Sequence, residues 1–415
     1  MDDINGAIEA IWRIESPKVI AGVAHMVHDI GLAEELAQDA FVAALQQWPE
    51  SGVPERPGAW LMGTAKHHAI DMLRRNQTLL RKQEELARQL EVEELGMPDF
   101  DAAIEDGMGD DLLRLMFTAC HPVLSADARV ALTLRLLGGL TTEEIARAFL
   151  VPVATIQQRI VRAKRTLTEA RVPFEVPTGN ELSARLASVL EVIYLVFNEG
   201  YAATSGGDWT RPALCEDALR LGRVLAELMP RAPEVHGLVA LMEIQASRLG
   251  TRVGPSGEPV LLLDQDRARW DHLLISRGLS ALERAEQLGT TLGPYALQAA
   301  IAACHARART PEATDWARIA ALYDGLAQVA ASPVVELNRA VAVAMAFGPA
   351  AGLELVDRLV SEPSLQGYHL LPSVRGDLLA KLGRSREARI EFKRAAALTL
   401  NERERKLLLE RASEA

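Results

Sequence analysis

Four clusters of residues hold ingredients of catalysis. Cys120-His121 sets a thiol beside an imidazole, yet adjacent residues rarely present nucleophile and base to each other, and Pro122 favours a buried cysteine next to a turn. Asp264, Asp266 and Asp271 would make a carboxylate pair or a metal site. The interleaved Arg267 and Arg269 point instead to an ion-pair network fixing a loop to a helix. His67 and His68 are neighbours and cannot share a helix face, so no metal pair is expected there. Gly254-Pro-Ser-Gly257 lacks the length and the lysine of a phosphate-binding loop. No catalytic site assembles, and neither a cofactor nor a metal is expected. The three cysteines, Cys120, Cys215 and Cys304, are far apart and odd in number, which gives no disulfide framework and fits a reducing cytoplasm.

The chemistry that survives is recognition of bases and phosphates. Thr141 begins a segment with a helix-capping residue, Glu143 and Glu144 in its first turn, and Ile145, Ala146 and Phe149 on its inward side. Leu150-Val151-Pro152 connects it to a second helix from Val153 to Leu167, with Pro152 at or just before the first turn. Ile156, Ile160, Ala163 and Leu167 form the inward stripe of that helix. Gln157, Gln158, Val161 and Arg162 point outward early in it, where a recognition helix meets base edges in the major groove. Glutamine can pair with adenine and arginine with guanine, while Arg159, Lys164 and Arg165 are placed for phosphates. Residues 153–171 carry five Lys/Arg against Glu169 alone.

These helices sit in a chain of 415 residues, 49% hydrophobic and 24% charged, the profile of a folded protein of two or three domains. Aromatics are only 5%, so helices packed by small and γ-branched side chains are expected. The first residues resemble no signal peptide, and no run of 18 uncharged apolar residues occurs, so a membrane partner is not expected. Residues 33–48 read as an amphipathic helix with Leu36, Ala40, Phe41, Ala44 and Leu45 on one face, closed by Trp48-Pro49; residues 50–58 read as a loop, and helix resumes from Trp60 to Arg75. Residues 93–111 hold eight acids and no Lys or Arg, the composition of an acidic linker. Three helices fit residues 112–171, and residues 172–179 read as a second linker. Beyond residue 180 helical patterns recur. Gly376, Leu379, Leu382-Gly383, Ala388, Phe392 and Ala395 fall at tetratricopeptide offsets, and Ala340, Phe347-Gly348, Gly352 and Val356 repeat the plan one unit earlier.

Taken together, the two N-terminal segments resemble the extracytoplasmic-function (ECF) sigma factors of bacterial RNA polymerase. The resemblance implies an all-α chain in five parts: sigma region 2 over residues 1–80, an acidic linker over 81–111, the region 4 helix-turn-helix over 112–172, a short linker over 173–180, and a tetratricopeptide-like extension over 181–415. It implies core RNA polymerase and promoter DNA as partners. The helix around Phe41 is similar to the family's polymerase-binding helix, which places Glu34, Glu35, Gln38, Asp39 and Phe41 at the core enzyme. The stretch from Trp60 to Arg75 is similar to the −10 helix, which implies DNA contacts for Trp60, Lys66, His67, Arg74 and Arg75; Trp60 would alternatively anchor its loop to the core. Arg56, Arg81 and Lys82 extend that basic stripe. The helix-turn-helix would read the −35 element. Leu150 departs from the family, which has glycine at this bend.

The extension is similar to that of one branch of these sigma factors, in which Asn198-Glu199-Gly200-Tyr201 and the stretch from Leu263 to Asp271 stand as two signatures. Asn198-Glu199-Gly200 reads as a helix end with a glycine cap. The extension is expected to modulate activity and to offer a surface for a protein or peptide regulator. The competing reading is a helix-turn-helix activator with a repeat-type sensor or scaffold domain that does not replace sigma. Net charge is −11, with 18 Lys/Arg against 27 Asp/Glu in residues 1–175 and 27 against 29 in residues 180–415. The acidity thus falls in the half expected to bind DNA, much of it in the linker, and free protein is expected to bind DNA poorly.

Overall fold

Small apolar residues spaced three and four apart build the first helices. The structure, a computed structural model, describes residues 2–87 and 108–415, with side chains described for 4–75 and 109–415. Most of the acidic linker and the side chains of Arg81 and Lys82 lie outside these described residues. The chain is all-α, apart from a two-residue parallel pairing of Ser205–Gly206 with Leu400–Asn401 and an isolated antiparallel bridge between Val253 and Pro259 among the described residues. It divides into two units, Met1–Val192 and Ile193–Ala415.

In the first unit α1 (Asp2–Val27), α2 (Ile30–Ser51) and α3 (Pro57–Ala87) pack together. Ala33, Leu36, Ala37, Ala40, Ala44 and Trp48 are the buried stripe of α2, and its alanines let α1 approach closely through Ile20, Ala21, Val23 and Ala24. Phe41 and Leu45, expected on that stripe, are only half-buried, because the stripe passes through Ala40 and Ala44. Helix α2 runs through Pro49 and ends at Gly52, whose N–H donates to the Trp48 carbonyl at 2.9 Å. The expected stop at Pro49 is therefore corrected: proline in the last turn loses one amide bond without ending the helix. The loop that follows shrinks to residues 52–56.

Helices α4 (Met108–Ala119), α5 (Ala126–Leu136), α6 (Thr142–Phe149) and α7 (Val153–Glu169) bury Leu115, Met116, Phe117, Leu132, Leu134 and Leu136 in the same unit. The three helices expected over 112–171 are thus four. Helix α8 (Asn180–Tyr201) belongs to this unit through its first half: Arg185 donates to the Phe117 carbonyl at 2.9 Å, and Ser188 to that of Cys120 at 2.6 Å.

The second unit stacks α9 (Pro212–Leu228), α10 (Pro233–Ala246), α11 (His272–Leu288), α12 (Pro294–Arg307), α13 (Trp316–Val329), α14 (Pro333–Phe347), α15 (Pro349–Leu359), α16 (Leu370–Lys381), α17 (Ser385–Leu398) and α18 (Glu402–Glu414), each packed against its neighbours. The repeat residues lie at the helix crossings. A Cβ on Gly352 would stand 2.4 Å from the Ala344 Cβ and 2.7 Å from the Ala340 carbonyl, so only glycine allows α14 and α15 to cross there. Gly376 faces Phe392 in the same way between α16 and α17, above a core of Leu379, Ala388 and Ala395.

Candidate nucleic-acid interface

Local chemistry fixes the helix-turn-helix before any tertiary contact does. The Thr141 hydroxyl accepts from the Glu144 amide at 3.1 Å while the Glu144 carboxylate accepts from the Thr141 amide at 2.8 Å, a reciprocal cap worth about 1 kcal/mol. Ile145 and Ala146 are buried from α6, and Ile156, Ile160, Ala163 and Leu167 from α7, as the periodicity requires. Phe149, expected inward, is half-buried at the helix end.

Leu150 closes α6 in the left-handed conformation, φ 51° and ψ 41°, with its side chain 53% exposed. This explains why glycine suits the position: a Cβ is strained there. The bend is nonetheless made. Leu150→Gly should therefore stabilise the unit by about 0.5–1 kcal/mol in urea titrations, without altering DNA preference. A loss of stability would mean that leucine contacts in the turn outweigh the strain.

With the turn set, the outward face of α7 divides by partner. Gln157, Gln158, Val161 and Arg162 are exposed and make no side-chain hydrogen bond or ion pair among the described residues. The three residues placed for phosphates are all engaged. Arg159 meets Asp127 at 2.9 Å, Arg165 meets Glu169 at 2.6 Å, and Lys164 binds Glu34. The carboxylate of Glu169 pulls the Arg165 guanidinium pKa further upward, by hydrogen bond first and charge second.

The −10 candidates share α3. Trp60 is half-buried, its ring edge-on to the buried Trp48 at 5.3 Å, an arrangement that fixes the start of α3 against α2. His67, Arg74 and Arg75 are exposed and Lys66 half-exposed; His67 and Arg74, seven residues apart, fall on one side of the helix.

The polymerase candidates on α2 separate. Glu35 and Asp39 are exposed. Phe41 stacks on Trp12 of α1 at 4.8 Å. Glu34 is 5% exposed and sits between α2, α5 and α7: its carboxylate takes Arg135 Nε at 2.6 Å, the Lys164 ammonium, and Gln38 Nε2 at 2.9 Å. Arg13 reaches Glu144 at 3.3 Å in the same sense, and Thr168 donates to Asp29 at 3.3 Å. Sequence reading missed this clasp. Arg135 carries no periodic or motif signal, and Lys164 reads equally well as a phosphate ligand.

The remaining chemical clusters resolve as structural. Cys120 is buried, its Sγ 3.3 Å from Thr133 Oγ1, and burial pushes its pKa to about 11; His121 Nδ1 accepts from the Val123 amide. The expected ion-pair network around Asp264–Asp271 is corrected to caps. Asp266 accepts from the Ala268 amide and Asp271 from Leu273 and Leu274, while Arg267 binds the His305 and Ala308 carbonyls and the Thr314 hydroxyl. Helix α8 does end at this segment, at Tyr201, but Gly200 is not its cap. Gly200 lies inside α8, where a Cβ would meet Cys215 N at 2.7 Å, so its role is close approach to α9. The two signatures meet beside Arg248 and Arg252. The signal for those arginines was present: residues 244–257 contain both and no acid.

Comparison with known proteins agrees with this layout. Residues 12–78 match the family Sigma-70 region 2, residues 114–167 match Sigma-70, region 4, and residues 185–286 match a family of unknown function. The chain is 44% identical over 388 residues to an uncharacterized protein of Rhizobium meliloti, covering 93% of this chain and 90% of that one. It is 30% identical over 161 residues to the ECF RNA polymerase sigma factor SigC of Mycobacterium tuberculosis, 39% of this chain and 81% of that one. It is 28% identical over 166 residues to the RNA polymerase sigma-H factor of Pseudomonas aeruginosa, 38% of this chain and 81% of that one. Regions 2 and 4, in this order on one helical chain, define an RNA polymerase sigma factor. The chain belongs to the ECF RNA polymerase sigma factors, and carries beyond their two regions a large helical domain.

Proposed function

We propose that this sigma factor binds core RNA polymerase and directs promoter-specific initiation, with α7 reading the −35 element, α3 and the loop before it engaging the −10 element, and the exposed Glu35 and Asp39 edge of α2 meeting the core enzyme. The observation that carries the reading is the outward quartet Gln157, Gln158, Val161 and Arg162, held exposed and unpaired on a helix whose other side is fully buried. Glu35 and Asp39 suit a basic surface on the polymerase. The protein would act in the cytoplasm; among the described residues no helix is long and apolar enough to cross a membrane. Run-off transcription with purified core enzyme tests the reading directly. A specific start site is expected, and failure to form a complex with core would overturn it in favour of a helix-turn-helix activator.

Within that reading Arg162 contacts a base. Arg162→Ala should cost about 1–3 kcal/mol and relax preference at one −35 position, measured by competition among promoter variants. Uniform weakening across sequences would make it a phosphate contact instead. The extension modulates this activity and offers its stacked helices to a protein or peptide regulator. Because Arg185 and Ser188 belong to the first unit, the informative deletion removes residues 202–415 and leaves α8 whole. Unchanged promoter-specific transcription after that deletion would sink the modulation.

A further inference from the structure

The two signatures of the extension converge on a cluster whose hydrogen-bonding groups are nearly all donors. Arg252 lies face-on to Tyr201, its guanidinium carbon 3.8 Å from the ring centre, and 5.6 Å from the Trp209 ring. Arg248 stands 5.8 Å from Tyr201 and 5.7 Å from Trp270, and Arg267 5.2 Å from Trp270. Three guanidiniums and three aromatic rings therefore alternate in one chain of contacts. Arg248 is 7% exposed and Trp270 3%.

What the cluster lacks is an acceptor for part of its donors: the Arg267 Nη groups are taken by the His305 and Ala308 carbonyls and the Thr314 hydroxyl, and Arg252 bonds to Tyr201, but other N–H groups go unmet. The Nε–H groups of Arg248, Arg252 and Arg267 and the indole N–H groups of Trp209 and Trp270 are all buried and have no partner. None of the three arginines forms a salt bridge with a described residue. Of the nearby acids, Glu312 acts on Arg267 by charge without a salt bridge, and the others are committed elsewhere. Glu199 binds Arg211 and Thr204, Asp266 and Asp271 cap helical turns, and Asp217 pairs with Arg220. Burial first, and Arg248 as a like charge, pull the Arg267 guanidinium pKa downward against the opposing charge of Glu312; burial and Arg248 act in that direction on Arg252 against Tyr201.

Stacking alone does not resolve this. A guanidinium over a ring gains from the ring face, but its N–H donors radiate in its own plane and still need acceptors. An uncompensated buried cation stays costly for the same reason. A ligand that offers only acceptors, carries negative charge and fits in-plane guanidinium geometry meets every one of these demands, and the aromatic walls strengthen such contacts by excluding water.

We propose that Arg248, Arg252 and Arg267, walled by Tyr201, Trp209 and Trp270, form a binding site for an oxyanion, a carboxylate or phosphoryl group. The charge and the orphaned donors select the anion, and the rings select a ligand with a flat or apolar portion beside it. Tyr201 from the first signature and Arg267 and Trp270 from the second thereby acquire one shared task.

The test uses the full-length protein and two probes, inorganic phosphate and succinate, titrated against sodium chloride at constant ionic strength. Thermal unfolding of the extension is read together with calorimetric binding. At tenfold saturation, at least one probe should raise the midpoint by about 3–5 °C over chloride. Arg248→Gln and Arg252→Gln should each abolish most of that shift, while Arg220→Gln should keep it. A larger response to phosphate would identify a phosphoryl ligand, and a larger one to succinate a carboxylate. The proposal is overturned if neither probe exceeds chloride in the unmodified protein, a comparison that needs no variant to fold. It is overturned equally if the shift persists undiminished in both glutamine variants.

Discussion

Replacing Arg135 with alanine should destabilise the N-terminal unit by about 3 kcal/mol, seen as a lower urea midpoint at unchanged slope. The reason is what the substitution leaves behind. Glu34 is 5% exposed, and Arg135 Nε is bound to its carboxylate at 2.6 Å while Arg135 Nη1 donates to the Leu140 carbonyl at 3.1 Å. Truncation strands a buried carboxylate and a carbonyl together. The effect sits at the low end of such losses because Lys164 and Gln38 still hold Glu34. A change below about 0.5 kcal/mol, the size expected of a solvated surface pair, would show that the clasp between α2, α5 and α7 is not formed in solution.

The clasp also bears on function. While Lys164 holds Glu34 it cannot hold a phosphate, and while Glu34 is buried it cannot meet the polymerase. Glu34→Gln removes the charge that retains Lys164, and the free protein should then bind DNA more tightly, with a steeper dependence on salt by about one phosphate contact. The low DNA affinity expected from the net charge of −11 thus gains a local cause. Part of the acidity is a single carboxylate of α2 held against Lys164 of α7.

How much of this was legible in the sequence depended on the range of the interaction. The helix-turn-helix was readable residue by residue, because capping and the 3.6-residue period act within a few positions. Thr141, Pro152 and the stripe Ile156, Ile160, Ala163 and Leu167 all fall where those rules put them. The repeats were readable for the same reason, since Gly352 and Gly376 mark crossings between consecutive helices. Long-range pairings were not. Glu34 meets Arg135 across 101 positions, and Arg267 meets Thr314 across 47, and neither pairing leaves a period or a motif. Some readings also failed: Pro49 sits in a last turn that tolerates it, Gly200 serves close approach to α9 rather than a cap, and Asp266 and Asp271 make local caps rather than longer-range ion pairs.

Acid should weaken the extension well before its carboxylates titrate, and His305 is the cause. Its ring is 8% exposed, its Nδ1 has no partner, and Trp316 stands edge-on at 5.1 Å. Burial, then Arg248, then Arg267 push its pKa down from 6.5 to about 3. In the unfolded chain the imidazole recovers its ordinary value, so between pH 6.5 and 3 the unfolded state binds the proton and the folded state does not. Stability is therefore complete above pH 6.5 and falls as pH drops, by about 2 kcal/mol at pH 5. Denaturant titrations at pH 7.5 and pH 5 measure the loss. His305→Asn keeps a planar polar group without the titration, so its stability should change less between the two pH values by that same amount. Equal slopes for both proteins would mean that His305 is protonated in the folded state, and that the positive field of Arg248 and Arg267 is compensated by a group that already neutralises them.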